Sequence, residues 1–427
     1  MINQRGVHLQ KGAGLIMRSR SRMCAPSDLE DDDYEASRWA WWRSPANFDV
    51  VDCDPHLNKL DQLLSSAAAA TAASPRARVV REMERLALVA PEALGDFRHR
   101  LSAYCPGDFW VPTGGMEKDD VDIPPVITIL LVGLSGSGKS SLVNLCYSVL
   151  GRSGLLPFVQ TSSGRCNWRD RKMVMEEHNV LRSMKSGFCM YDTRGFSYEG
   201  AVEGAAEEVM RGWMREGVRH NQLCLSPGDE AAAEGLMREE EDVLMEREDG
   251  AVRQSGKFKK RRVNCAVVVA NVAEIHKALK AGDLKPLEAT KQLFCSPALR
   301  ICNEHDPILI LTHGDELSAE ERIEGRVKIC EYIGASETGG GVYDIVCLTE
   351  YGFLPEESDP VNAYALTEAL YRALLISDRS HLPKRNLWDW ALLVLSCLLC
   401  FLSAFFACLS QIFSKLAHIH RTGLKFM

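Results

Sequence analysis

The feature that most constrains the fold is an apolar stretch that leads straight into a glycine-rich loop. Residues 126–132 are almost wholly apolar and continue into the octapeptide GLSGSGKS at 133–140. This is the pattern G-x-x-x-x-G-K-S, with a buried strand before it and a helix, predicted over 140–150, after it. Glycines in such a loop let backbone N–H groups turn inward and approach phosphate oxygens. The sequence therefore predicts a phosphate-binding loop within an α/β domain.

Two side chains of this loop have expected chemical roles. Lys139 is expected to reach the β- and γ-phosphates of a nucleotide, which also makes it a candidate catalytic group, and Ser140 is expected to ligate Mg²⁺. The helix that begins near Lys139 adds the positive end of its dipole. The expected nucleotide-binding residues of this segment are Gly133, Ser135, Gly136, Ser137, Gly138, Lys139, Ser140 and Ser141.

Further apolar runs indicate a mostly parallel sheet enclosed by helices. They lie at 188–191, 265–270, 307–311 and 342–348. Strands without polar alternation are buried on both faces, which is typical of a parallel sheet between helical layers. Helices are predicted between them at 201–218, 286–294 and 318–333, the last of which opens with the capping-box pattern Ser318-Ala319-Glu320-Glu321. Alternating strands and helices predict a doubly wound α/β domain.

The second apolar run ends in Asp192-Thr193-Arg194-Gly195. A carboxylate at that strand end is expected to hold Mg²⁺ through water, and the N–H group of Gly195 is expected to sense a γ-phosphate. A threonine that ligates the metal should precede this motif, and Thr161 is the best placed. Ser162 or Ser163 is an alternative, as is a plain loop without metal ligands.

The run at 307–311 ends in Thr312-His313-Gly314-Asp315, which resembles the guanine-recognition pattern [N/T]-K-x-D. We expect the Asp315 carboxylate to accept hydrogen bonds from the guanine N1–H and 2-amino groups, which adenine does not offer. Thr312 fills the first position, and His313 replaces the lysine whose stem covers the base, although an imidazole can lie on a purine instead. The alternative is an ordinary turn aspartate. The segment 347–349 is too degenerate to identify as a further base loop.

The order of these motifs resembles that of G domains. Residues 124–349 resemble the translation-factor-related class, nearest to groups that replace the catalytic glutamine. More closely, residues 133–164, 176–198 and 264–315 resemble a plant family of membrane-attached P-loop NTPases. The resemblance implies a P-loop G domain that binds GTP and GDP with Mg²⁺, and it implies little about the process served.

The expected hydrolytic machinery departs from the common pattern. Small GTPases orient water with a glutamine after the D-x-x-G glycine, whereas Phe196 stands there in this chain. Arg194 is a candidate for stabilising transition-state charge, with a surface salt bridge as the alternative. We expect slow turnover, raised by an activating protein or by pairing of two G domains. The competing functions are a P-loop ATPase or kinase, and a pseudo-GTPase scaffold.

The segment 387–413 predicts a single transmembrane helix. No charged residue occurs from Trp390 to Phe413, and about 20 apolar residues suffice to cross a bilayer. Trp388 and Trp390 suit an interfacial aromatic belt, and a short basic tail, 414–427, follows. We expect a tail anchor with the nucleotide domain facing the cytosol, in an organelle outer membrane or the endoplasmic reticulum. The alternative is a buried helix of a soluble domain.

The remaining segments complete the predicted organisation. Residues 1–47 carry a basic block and then an acidic one, which indicates disorder or, alternatively, an organelle transit peptide. Residues 48–115 predict two or three amphipathic helices that form an extension of the G domain, 124–378. The charged stretch 227–262 is interpreted as a flexible insertion. The alternatives are a nuclear localisation signal and a contact with anionic lipid. The net charge of −8 argues against a nucleic-acid partner, and the scattered cysteines suggest reduced thiols.

Overall fold

A computed structural model describes most of the chain beyond residue 73. The described residues are 41–42, 74–112, 117–151, 174–181, 187–198, 201, 204–224, 259–300, 306–336, 341–347, 359–381, 384 and 387–423. The chain divides into two compact units, Met1–Asp54 and Pro55–Met427. Because only Trp41 and Trp42 of the first unit are described, the fold reported below is that of the second.

Seven strands of the described residues form one mixed sheet. They are β1 (Ile127–Gly133), β2 (Val174–His178), β3 (Phe188–Asp192), β4 (Gln222–Leu223), β5 (Cys265–Asn271), β6 (Ile308–Thr312) and β7 (Val342–Asp344). Their order across the sheet is β4-β2-β3-β1-β5-β6-β7. The five strands from β3 to β7 in this order are parallel, and β2 and β4 run antiparallel at one edge.

Helices cover both faces of this sheet. They are α1 (Pro75–Ala103), α2 (Lys139–Gly151), α3 (Ala205–Glu216), α4 (Val272–Lys280), α5 (Lys285–Phe294), α6 (Ala319–Ile333), α7 (Pro360–Arg379) and α8 (Leu387–Gly423). One apolar core joins the strands to α3, α4, α5 and α6 and includes Leu130 and Val132. The alternate residues Ile129 and Leu131 are equally buried towards the other face, where α2 and α7 contact the strands.

The predicted α/β architecture is confirmed, and four of the five parallel strands lie close to their predicted bounds, whereas β7 ends at Asp344, short of the predicted run 342–348. The capping box that opens α6 is also present, because the Ser318 hydroxyl accepts from the Glu321 N–H while the Glu321 carboxylate accepts from the Ser318 N–H. Strands β2 and β4 were not predicted. The sequence of β2, VMEEH, is too polar to resemble a buried strand, because β2 lies near the sheet edge and all of its side chains except the buried Met175 are partly exposed.

The described part of the extension before the sheet is one helix, where the sequence predicts two or three amphipathic helices over 48–115. Helix α1 is continuous over 29 residues and includes Pro91. It packs along α7, where Phe97 lies edge-on to Tyr364 and Tyr371, at ring-centroid distances of 5.4 and 5.1 Å. This packing offsets the hydrogen bond that a proline removes from a helix interior.

The C-terminal helix α8 is 37 residues long and contains one span long and apolar enough to cross a membrane. That span, Leu392–Lys415, has a mean hydropathy of 2.7 and none of it is buried in the fold. The helix continues through much of the predicted tail, as far as Gly423. Just before α8, Lys384 is held to the domain, because its N–H donates to the Asp120 carbonyl and its ammonium to the Asp119 carbonyl.

Several predictions lie outside the described residues. They concern most of 1–47, the first helical signal of the extension before residue 74, the insertion as far as residue 258, and the end of the tail. No cysteine among the described residues is in a disulfide bond.

Candidate functional site

The predicted motifs meet at one end of the sheet because each follows a parallel strand. The glycine-rich loop, residues 133–140, follows β1; Asp192 closes β3; and Thr312 closes β6. From β1 the chain proceeds to β3 on one side and later to β5 and β6 on the other. Such a reversal opens a crevice at the carboxyl ends of the strands, which is where open α/β sheets bind ligands.

The glycine-rich loop depends on its glycines for two different reasons. Gly136 and Gly138 have φ of 78° and 88°, which L side chains rarely adopt. Gly133 is needed for space, because a Cβ atom there would lie 2.6 Å from the Ser137 hydroxyl oxygen and closer still to the Val269 carbonyl oxygen of β5. The loop is therefore both tightly turned and pressed against its neighbouring strand.

Lys139 is buried at the start of α2 and its ammonium group lies inside the curve of the loop. Its Nζ donates to the Leu134 carbonyl at 2.9 Å and lies 3.3 Å from the Gly133 carbonyl. The ammonium is thus held by backbone dipoles at the N-terminal end of a helix. A phosphate oxygen entering the loop would meet this positive charge together with the free end of the helix dipole.

The two described residues expected to bind Mg²⁺ are in direct contact. The Ser140 hydroxyl donates to the Asp192 carboxylate at 2.6 Å, and Asp192 is completely buried. A hydroxyl and a carboxylate at this distance are oxygen ligands that suit a hard cation such as Mg²⁺. Ser141, the next residue of α2, is buried too. Thr161, the expected third metal ligand, lies outside the described residues.

The segment after Asp192 pairs with the glycine-rich loop. The Ser135 N–H donates to the Phe196 carbonyl at 2.9 Å, and the Phe196 N–H donates to the Gly133 carbonyl at 3.1 Å. Gly195 lies so close to the loop that a Cβ atom would be 2.6 Å from the Ser135 nitrogen. The D-x-x-G segment and the loop therefore form one backbone unit, although 52 residues separate Ser140 from Asp192.

The side chains of Phe196 and Arg194 both point into the protein. Phe196 belongs to the core, and its ring centroid lies 5.8 Å from that of Trp213 on α3. Arg194 is buried, and its guanidinium donates to the Cys224 carbonyl at 3.2 Å beyond the end of β4. The burial of Arg194 places its guanidinium away from the surface, and the carbonyl contact ties the D-x-x-G segment to the residue that follows β4.

The segment after β6 is tied to the glycine-rich loop by Thr312. The Thr312 hydroxyl lies 2.8 Å from the Ser137 carbonyl and 2.9 Å from Nδ1 of His313. His313 adopts φ of 59°, an uncommon left-handed conformation for a residue with a side chain. A Cβ atom on Gly138 would lie 3.3 Å from Cε1 of His313, so the imidazole lies beside the loop.

A buried ion pair supports the turn that carries Asp315. The Arg322 guanidinium donates to both carboxylate oxygens of Asp344 at 2.8 and 2.6 Å. Gly314 packs directly on this guanidinium, because a Cβ atom there would be 2.6 Å from Cζ of Arg322. The Asp315 side chain remains open to water, yet partial desolvation by the surrounding turn raises its pKa above the ordinary value.

Two potential metal ligands near this site were not predicted from the sequence. Glu176 and His178 on β2 lie beside Asp192, and no motif marks them. Their only sequence signal is alternation, since they are two residues apart and share one face of a strand. No protein-family model matches the chain, and the comparison with curated proteins gives no significant match.

Proposed function

We propose that this chain is a membrane-attached, GTP-binding P-loop protein of the G-domain type, which uses Mg²⁺ and acts as a nucleotide-dependent switch. The observation that carries the proposal is the meeting of three loops at the carboxyl ends of β1, β3 and β6. They bring a lysine, a serine–aspartate pair and the T-H-G-D turn to one crevice. The sequence resemblance to plant membrane-attached P-loop NTPases agrees with this arrangement.

The phosphates and Mg²⁺ have natural places in this proposal. Backbone N–H groups of the glycine-rich loop and the Lys139 ammonium would bind the phosphates, while Ser140 and Asp192 would hold Mg²⁺. Bound Mg²⁺ would neutralise charge on the phosphate oxygens. In a switch of this type, segments next to the γ-phosphate change their order with the nucleotide state and so recruit or release partners.

Guanine recognition rests on the T-H-G-D turn. The contact between Thr312 and the Ser137 carbonyl fixes the turn relative to the glycine-rich loop. The guanidinium of the Arg322–Asp344 ion pair packs against Gly314 of the same turn. The turn could then present the Asp315 carboxylate to the N1–H and 2-amino groups of guanine. The imidazole of His313 would lie against the base.

Turnover without a partner is expected to be slow. The side chain after the D-x-x-G glycine is a phenylalanine packed against Trp213, and it cannot orient water. This observation also favours a second candidate function, a scaffold that binds nucleotide without hydrolysing it. Single-turnover hydrolysis at rising protein concentration separates the two, because an activatable GTPase accelerates on pairing or with an activating partner, and a scaffold does not.

Helix α8 is proposed as the membrane anchor, with the nucleotide domain in the cytosol, where GTP and Mg²⁺ are available. Its apolar span of 24 residues is about 36 Å long at 1.5 Å per residue, which exceeds a bilayer core of about 30 Å. The destination is proposed to be an organelle outer membrane or the endoplasmic reticulum.

The decisive experiment measures affinities for GTP, GDP, ATP and xanthosine triphosphate in the wild type and in Asp315→Asn. We expect guanine preference in the wild type and a shift towards xanthine in the variant, because an amide offers a donor to the 2-oxo group. Glu316→Gln, which removes the neighbouring carboxylate of the same turn, is the matched control and should keep guanine preference. Equal affinity for ATP and GTP, or an unchanged preference in Asp315→Asn, would contradict the proposal.

A further inference from the structure

Three potential metal ligands converge on one face of the sheet beside α2. Glu176 and His178 are two residues apart on β2, so their side chains lie on the same face. Asp192 on β3 is the direct cross-strand partner of Glu176. One potential ligand atom from each side chain lies within 4.8 Å of those of the other two. The intervening Glu177 faces the other way, where it accepts from Tyr191 and Arg261.

The charges of this cluster favour a cation. Like charges placed directly opposite on neighbouring strands destabilise a sheet, and Glu176 and Asp192 are two carboxylates in that position. His178 brings its Nε2 atom to 3.5 Å from the Glu176 carboxylate. A divalent ion between the three side chains would turn carboxylate repulsion into attraction while using the imidazole as a neutral ligand.

A tyrosine on α2 contacts the imidazole of His178. The Tyr147 hydroxyl of α2 lies 3.5 Å from Nδ1 of His178, and the two rings meet edge to face at 6.1 Å. Metal-binding histidines commonly use one nitrogen for the ion and the other for such a partner, which fixes the ring. Here Nδ1 faces Tyr147 and Nε2 faces the carboxylates.

We propose that Glu176, His178 and Asp192 form a binding site for a divalent transition-metal ion of the Mn²⁺ or Zn²⁺ class. One imidazole nitrogen with two carboxylates suits these ions, whereas Mg²⁺ favours oxygen ligands alone. The site adjoins the Ser140–Asp192 pair and shares Asp192 with it. The proposal does not rest on the proposed function, because its ligands converge without any nucleotide.

The test uses the full chain in mild detergent, stripped with a chelator and titrated with Co²⁺ and Zn²⁺ without nucleotide. We expect one equivalent of Co²⁺ with d–d absorption bands, displaced by Zn²⁺ and not by a similar concentration of Mg²⁺. Tyr147→Phe should lower the Co²⁺ affinity by about 10- to 100-fold, because it removes the hydroxyl that contacts Nδ1 of the metal-binding histidine. His178→Gln and Glu176→Gln should lower it at least as much. Glu216→Gln, an exposed carboxylate outside the cluster, is the control.

Two further measurements separate this proposal from the GTP proposal and from poor folding of a ligand variant. Lys139→Ala, expected to lose nucleotide binding, should still bind Co²⁺, so failure of the GTP proposal would leave this one standing. Electron spin echo spectroscopy of the Mn²⁺-loaded wild type should detect a directly bound imidazole nitrogen, even if a ligand variant folds poorly. Absence of that nitrogen signal, absence of Co²⁺ binding, or equal affinity in wild type and His178→Gln would overturn the proposal.

Discussion

Gly195→Ala is the most direct test of the backbone unit formed by the glycine-rich loop and the D-x-x-G segment. The new methyl group would lie 2.6 Å from the Ser135 nitrogen and close to two further backbone atoms, none of which can rotate away. The segment must separate from the loop and lose its two backbone hydrogen bonds with residues 133 and 135. Overpacking costs about 1–3 kcal/mol, and each bond contributes about 0.5–1.5 kcal/mol. We expect a loss of between about 2 and 6 kcal/mol in the free energy of unfolding.

Urea unfolding of the full chain in detergent, followed by tryptophan fluorescence, measures this loss, and GTP titration measures the accompanying fall in affinity. Gly212→Ala is the matched control, because nothing lies within 4 Å of its added Cβ atom. It lies inside α3, where alanine should stabilise the protein by up to about 1 kcal/mol. If Gly195→Ala unfolds at the same urea concentration as the wild type, the close approach of the two segments is not a constraint on this fold.

Further predictions concern the phosphates, the base and the anchor. Lys139→Ala should abolish nucleotide binding, and Ser140→Ala should weaken the Mg²⁺ dependence of that binding. Equilibrium titration with GTP, with and without a metal chelator, measures both effects. Wild-type GTP affinity in both variants would refute the phosphate-loop assignment. GTP affinity should fall as pH drops through the raised pKa of Asp315, because a protonated carboxyl cannot accept both guanine hydrogen bonds, whereas Asp315→Asn should lack this component of the pH profile. Deleting residues 387–427 should release a soluble chain that still binds nucleotide, and retention in salt-washed membranes would place the anchor elsewhere.

The parallel part of the sheet could be predicted because its strands are buried on both faces and are therefore apolar throughout. Because β1, β3 and β6 are parallel, the residues that follow them lie at one end of the sheet, which brings Lys139, Asp192 and Thr312 to the same crevice. The hydrophobic pattern did not predict β2, because a strand near the sheet edge that carries glutamates and a histidine does not resemble a buried strand. Glu176 and His178 were missed for that reason.

The directions in which side chains point could not be predicted from the sequence either. The sequence shows that Phe196 replaces a glutamine, but the packing of its ring against Trp213 depends on where α3 crosses the sheet. Arg194 likewise reaches the carbonyl of Cys224, which directly follows β4, a strand that was not predicted. The continuity of α1 through Pro91 depends on its packing against α7, which local sequence preferences do not report.

The attachment of Lys384 connects the start of the apolar helix α8 to the segment that precedes β1, at the end of that strand opposite the glycine-rich loop. Lys384 donates hydrogen bonds to the carbonyls of Asp119 and Asp120, and α8 begins at Leu387. The chain between Lys384 and Leu387 can therefore extend to about 10 Å at most. A displacement of α8 along its axis would therefore be transmitted to the segment 117–126 with little intervening chain to absorb it. That segment leads into β1, and β1 ends in the glycine-rich loop. A force applied along α8 would therefore be borne by β1 together with β3 and β5, which pair with it on either side.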